Sequence, residues 1–176
     1  GPNFSEPIAQ AESQGLKKRL VAWARKTGLQ AGFAEQEGKL KPLSFSLADS
    51  LVFSRVRENL GLDDCRLVGT TAAPIARDTL EFFLSLGIPL FEIYGMSECS
   101  GPATISLPGQ YKTGSAGPPL PGTEIKLSDD GEICIKGPHV FKGYFKDNGA
   151  TENTLDPEGW LHSGDVGKLD DRGFLE

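Results

Sequence analysis

The sequence predicts a mixed α/β fold in which a parallel β-α-β unit is followed by a β-rich part. Three observations predict it. Two apolar runs, 65–69 and 89–94, flank a stretch with helical spacing, and a crossover of that length makes the two strands parallel and the connection right-handed. Residues 101–176 hold 13 of the 22 glycines and 7 of the 12 prolines, a density of breakers that means short strands and turns. Segments 123–127 and 132–136 alternate polar and apolar around Asp129-Asp130-Gly131, which reads as a hairpin with Ile125 and Leu127 facing Ile133 and Ile135. The expected division is 1–100, a partial α/β subdomain, and 101–176, a β-rich subdomain.

Taken in order, 16–27 reads as a helix with Leu16, Leu20, Trp23 and Ala24 on one stripe and Gly28 as its stop. Lys17, Lys18, Arg19, Arg25 and Lys26 make it basic. A solvated helix packed by its apolar stripe is the expectation; an interfacial helix on an anionic membrane is the alternative. Residues 28–45 read as a loop. A second helix, 46–60, takes Ser46 or Asp49 as its cap, Leu47, Leu51, Val52, Val56 and Leu60 as its apolar face, and Gly61 as its end. Pro74 starts the crossover helix, with Leu80, Phe83 and Leu84 inward and Gly87 as its stop. Loops 70–74 and 95–101 then leave the same carboxyl edge of the sheet, and two small-residue loops side by side form a slot for a flat ring. The aromatic run 140–145 is expected in the core.

Composition bounds the partners. At 176 residues, 38% hydrophobic and 24% charged, the chain is one ordinary globular domain or a compact piece of a larger one. A net charge of −6 argues against a nucleic-acid partner. It also requires that any anionic ligand be held by local groups. Cys65, Cys99 and Cys134 lack a CxxC pairing, which reads as free thiols in a reducing, cytoplasmic compartment without a zinc site. No apolar run is long enough to span a bilayer. Gly1-Pro2 reads as a protease scar or as native sequence.

Residues 91–102 carry the chemistry. The apolar strand opens into Tyr94, Gly95, Met96, Ser97 and Glu98. In an open parallel sheet the carboxyl end of a strand is where ligands bind. A ring, a glycine, a hydroxyl and a carboxylate suit a nucleotide with Mg²⁺. Asp165, after Gly164 at the end of an apolar-aromatic run, reads as either a turn aspartate or a ligand-binding carboxylate. His162, between Leu161 and Ser163 with no nucleophile beside it, reads as structural.

Tyr94-Gly95-Met96-Ser97-Glu98 resembles the Tyr-Gly-x-Thr-Glu motif of the adenylate-forming enzymes. Glu158-Gly159-Trp160-Leu161-His162-Ser163-Gly164-Asp165 resembles the Gly-Trp-Leu-His-Thr-Gly-Asp signature of fatty acyl-CoA synthetases, and the wording around Tyr94 is most similar to the long-chain bubblegum type. Ser97 and Ser163 stand where Thr is usual, which keeps the hydroxyl. The resemblance implies an α/β domain followed by a distorted-barrel subdomain. It also implies a ligase that uses ATP, Mg²⁺ and CoA to activate a fatty acid through an acyl adenylate. On the matching positions it implies that Ala72, Ala73 and Pro74 line the adenine, that Tyr94 stacks on it, and that Gly95 and Met96 belong to the same nucleotide-binding stretch. Ser97 would bond a phosphate, Glu98 would hold Mg²⁺ and act with Ser97 in catalysis, and Asp165 would accept both ribose hydroxyls. The family's phosphate loop and C-terminal lysine are not in these residues. The chain therefore reads as an inactive segment of a longer enzyme, cut partway through a strand at 173–176. Other acceptors, as in peptide-synthetase or luciferase-like adenylation domains, remain open, as does a non-catalytic nucleotide-binding or interaction module.

Overall fold

The computed structural model describes residues 5–176, with side chains from residue 14 on; Gly1-Pro2 lies outside them. The chain divides into two compact units, Gly1–Val68 with Asp78–Pro89, and Gly69–Arg77 with Leu90–Glu176. The division differs from a cut after residue 100 because β3 (Gly101–Ile105) is hydrogen-bonded to β2 (Leu90–Met96). A boundary there would separate two strands of one sheet.

The first unit is helical. α1 spans Ser5–Gln36 and runs through Gly28 instead of stopping there, so the loop expected over 28–45 begins only after residue 36. Gly28 is a point of close approach: a Cβ on it would lie 1.9 Å from the Ser85 carbonyl oxygen. The buried face is a stripe of small residues, Ala24, Thr27 and Ala31, not the expected one. Leu16, at 66% exposure, and Leu20 and Trp23 stay open to solvent. Small side chains let the helix backbone come close to its neighbour, which bulky ones would prevent. Next come α2 (Ser44–Ala48), a π-helical turn (Asp49–Phe53) and α3 (Ser54–Leu60). The π turn rotates the helix face, so Ala48 and Phe53 are buried while Leu47, Leu51 and Leu60 are exposed. Ser46 and Asp49 lie inside this helical run and do not cap it. Asp49 instead pairs with Arg57 at 2.6 Å, and Arg57 also donates to the Leu86 carbonyl at 2.8 Å. Gly61 ends α3 with a left-handed φ of 69°. α4 (Arg77–Ser85) begins after Pro74 and not at it, and buries Leu80, Leu84 and Ser85. Phe83 is only half-buried. Ala24, Ala48, Phe53, Leu86 and Ile88 form the core of this unit.

The second unit carries two sheets. β1 (Val68–Thr70), β2 and β3 are ordered β1-β2-β3, with β1 and β2 the strands of the β-α-β unit and β3 antiparallel to β2. β4 (Glu124–Leu127), β5 (Glu132–Lys136) and β6 (Leu161–Val166) form a separate antiparallel sheet. The hairpin has the expected register, Ile125 opposite Ile135 and Leu127 opposite Ile133. Its inward residues join Cys99, Ala103, Leu161 and Leu175 in one core. Full burial of Ile135 and Leu161 contributes roughly 1.5–3 kcal/mol each. Of the run 140–145, Val140 and Phe141 pack against this core. Phe145 is 89% exposed, so the expected aromatic core stops short of it. A short helix that the sequence reading missed, α5 (Asn148–Thr154), is capped by Asp147, whose carboxylate accepts the Ala150 N–H at 2.9 Å. Among the described residues, no helix is long and apolar enough to cross a membrane.

Candidate functional site

Every residue expected at the site lies in the second unit. β2 does not break at Gly95 but continues to Met96, with a register shift between Tyr94 and Gly95. Gly95 is needed because a Cβ there would lie 2.0 Å from the Gly101 carbonyl oxygen. The close approach of β3 therefore sets this glycine. A 3₁₀ turn, Ser97–Cys99, follows. The buried Cys99 thiol closes it by donating to Gly101 O at 3.0 Å and accepting from Met96 N at 3.4 Å. Ser97 is exposed, Glu98 half-buried, and Met96 packs against the core.

The turn is tied to the segment after β5. The Glu98 carbonyl accepts the Phe141 N–H at 2.7 Å, and Ser100 Oγ donates to the His139 carbonyl at 2.8 Å. The Tyr144 hydroxyl donates to Glu98 Oε1 at 2.8 Å. That bond holds the Tyr144 phenol above its ordinary pKa and takes one of the two oxygens of Glu98. The Tyr144 and Phe141 rings meet edge to face at 4.9 Å. Tyr144 was legible only as one residue of an aromatic run; nothing local marks it as a partner of Glu98.

Asp165 is brought to β2 across 71 residues. The Tyr94 hydroxyl donates to Asp165 Oδ2 at 2.8 Å. Burial, then the Asp165 carboxylate, keep the Tyr94 phenol protonated well above its ordinary range. The carboxylate is exposed, so it remains open to a ligand. Ala72, Ala73 and Pro74 form an exposed loop after β1, the neighbour of β2, and Ala72 has a φ of 76°. The two expected loops thus leave adjacent strands of one sheet. They present hydroxyl, carboxylate and small-residue backbone at its carboxyl edge, groups that can hold a polyhydroxylated, phosphorylated ligand with a divalent cation.

Glu132, read from sequence only as a polar hairpin position, is part of the network beneath Asp165. His162 Nδ1 donates to its Oε2 at 2.7 Å, and Gly164 N donates to its Oε1 at 2.9 Å. The His162 bond, then the Gly164 amide, hold the Glu132 carboxyl below its ordinary range. His162 Nε2 faces Asp156 Oδ2 at 3.8 Å. Glu132, Cys134 and His162 place one ligand-type atom each within 4.8 Å of one another. Two nitrogen or oxygen ligands of one tetrahedral zinc would stand about 3.3 Å apart. The 2.7 Å separation is instead that of a hydrogen bond, and burial raises the Cys134 thiol, disfavouring its thiolate.

Residues 17–145 match the AMP-binding enzyme family. The chain is 48% identical over 171 residues to the long-chain-fatty-acid–CoA ligase ACSBG2 of Xenopus laevis, covering 94% of this chain and 23% of that one. It is 46% identical to human ACSBG2, covering 94% and 26%. Among solved structures, apo MatB of Rhodopseudomonas palustris aligns with a TM-score of 0.60 at 30% identity, covering 74% of this chain and 28% of that one. The Bacillus subtilis O-succinylbenzoate coenzyme A synthetase MenE, in complex with ATP and magnesium ion, aligns with a TM-score of 0.56 at 38% identity, covering 62% and 25%. The chain spans about a quarter of the length of the curated relatives it matches.

Proposed function

The chain belongs to the AMP-binding enzyme family, and from that premise we propose that it is the nucleotide-binding part of a long-chain fatty acid–CoA ligase. The whole protein would join a fatty acid to ATP, releasing pyrophosphate and forming an acyl adenylate. The CoA thiol would then displace AMP to give the thioester. One observation carries this reading: the Tyr94–Asp165 hydrogen bond joins the two sequence motifs at the end of β2.

In this reading Asp165 accepts the two ribose hydroxyls, and Tyr94, Gly95 and Met96 line the base together with Ala72, Ala73 and Pro74. Ser97 donates to a phosphate oxygen. Glu98 offers a carboxylate oxygen to Mg²⁺ while Tyr144 holds the other. Preorganised charge of this kind is usually the largest contribution to stabilising a transition state. The antiparallel β4-β5-β6 sheet would belong to a distorted-barrel subdomain that follows the β-α-β part. The basic flank of α1 would give the enzyme peripheral contact with a membrane that supplies fatty acid.

The test is fatty-acid-dependent ATP–pyrophosphate exchange by the full-length enzyme carrying this segment. Exchange with palmitate, absent with amino acids, supports the reading; exchange driven by amino acids instead would overturn it. The 176-residue chain alone is expected to make no palmitoyl-CoA.

A further inference from the structure

We propose that Glu132 is the positioning residue for Asp165, its carboxylate holding open the bulge of β6 that carries Asp165 to Tyr94. The kinetic side of the proposal rests on the nucleotide reading above; its structural side does not.

The strand register shows the bulge. Cys134 lies opposite His162, yet Glu132 lies opposite Val166. Two steps along β5 therefore face four along β6, leaving two extra residues within Ser163-Gly164-Asp165. A bulge breaks the ladder and leaves amides without their usual partners, and such amides need others. Gly164, at φ 76°, turns its amide onto Glu132 Oε1 at 2.9 Å. The Asp165 amide is taken by Ser163 Oγ at 3.1 Å.

The carboxylate that accepts Gly164 is itself fixed. Its other oxygen takes His162 Nδ1–H at 2.7 Å. His162 in turn faces Asp156, whose Oδ1 accepts the Glu158 and Trp160 amides at 2.9 and 2.8 Å. A chain of polar contacts thus runs from the 156–160 turn through His162 and Glu132 to Gly164, one residue from Asp165. Without the carboxylate, nothing in that chain favours the bulge over slippage toward regular pairing. Regular pairing would absorb both extra residues and slide Asp165 two positions along the strand, about 6–7 Å, away from Tyr94.

The test uses Glu132→Ala, Glu132→Gln and Glu132→Asp in the full-length ligase, with amide exchange measured on the 176-residue chain. Gln keeps an oxygen for Gly164; Asp keeps the charge but is one methylene too short to reach it. Glu132→Ala and Glu132→Asp should each raise the KM for ATP about tenfold, the factor carried by one hydrogen bond to a charged group. The fatty acid KM should stay within about twofold, and Gln should restore the ATP KM. The Gly164 amide should exchange about tenfold faster in the Ala and Asp variants, with Ile133 and Ile135 unchanged. If Glu132→Ala does not fold, the Asp variant carries the test. Unchanged Gly164 exchange overturns the clamp, as does a parallel rise in both KM values. If Asp165→Asn raises the ATP KM and the Glu132 variants do not, the clamp fails while the nucleotide reading stands. If Asp165→Asn has no effect but Gly164 exchange accelerates, the clamp stands as architecture and the nucleotide reading fails.

Discussion

Replacing Asp165 by Asn exchanges one carboxylate oxygen for an NH₂ group and leaves the side-chain shape unchanged. In the free protein Oδ2 accepts the Tyr94 hydroxyl at 2.8 Å. With nucleotide bound, the two oxygens would accept the vicinal ribose hydroxyls. Asparagine has one acceptor, so one of those two bonds is lost. A hydrogen bond to an ionised group contributes about 1.5–3 kcal/mol, and about 1.4 kcal/mol is a factor of ten. The expected result in the proposed full-length ligase is an ATP KM raised about tenfold or more. The fatty acid KM should change less than about twofold. Stability should move little: Asp165 is exposed, and the remaining oxygen can still accept from Tyr94. In the 176-residue chain the melting temperature should fall by no more than about 2–4 °C, the equivalent of about 1 kcal/mol at this size. Initial rates of pyrophosphate release against ATP concentration give the first quantity and thermal unfolding the second. An unchanged ATP KM together with a larger loss of melting temperature would refute the reasoning and leave Asp165 as a turn residue.

Gly95→Ala would drive a methyl to 2.0 Å from the Gly101 oxygen, and overpacking of this kind costs about 1–3 kcal/mol or more. Denaturant unfolding should show the loss, and a wild-type midpoint would contradict the strand pairing. Cys65 is exposed whereas Cys99 and Cys134 are buried, so a thiol reagent should label Cys65 in the native chain and the other two only after unfolding. Acid should destabilise the second unit. Glu132, Asp156 and Asp170 titrate below their ordinary values of 4.5, 3.8 and 3.8, held by the His162 hydrogen bond and by the Trp160 and Phe174 amides respectively. The unfolded chain binds protons more readily at these groups. Their contribution is therefore complete above the ordinary values and is lost as pH falls through the lowered ones. Glu92, raised by burial, opposes this, and Asp130, lowered by its Ser128 hydrogen bond, adds to it. The melting temperature should be flat from about pH 7 to 5 and fall below about 4; a rise on acidification would contradict the assignment.

The sequence by itself determined what depends on near neighbours. The β4–β5 hairpin follows from alternation around Asp129-Asp130-Gly131, and Ile135 faces Ile125 because a strand has a period of two. The end of α3 at Gly61 follows from glycine's access to the left-handed region. The two motifs at the site were legible for the same reason, since each is continuous in the chain. Tertiary structure decided what depends on partners distant in sequence. Gly28 looked like a helix stop because its closest neighbour, the Ser85 carbonyl, is 57 residues away and invisible to any local pattern. The face of α1 was misread for a related reason: large apolar residues suggest burial, but a close backbone approach selects Ala24, Thr27 and Ala31. The π turn at Asp49–Phe53 shifted the buried face by an amount that a spacing of 3.6 cannot register. At the site, Tyr144 on Glu98 and Glu132 under Gly164 arise from contacts spanning 46 and 32 residues. The β6 bulge that brings Asp165 to Tyr94 exists only as a mismatch between two strands, and neither strand's own residues record it.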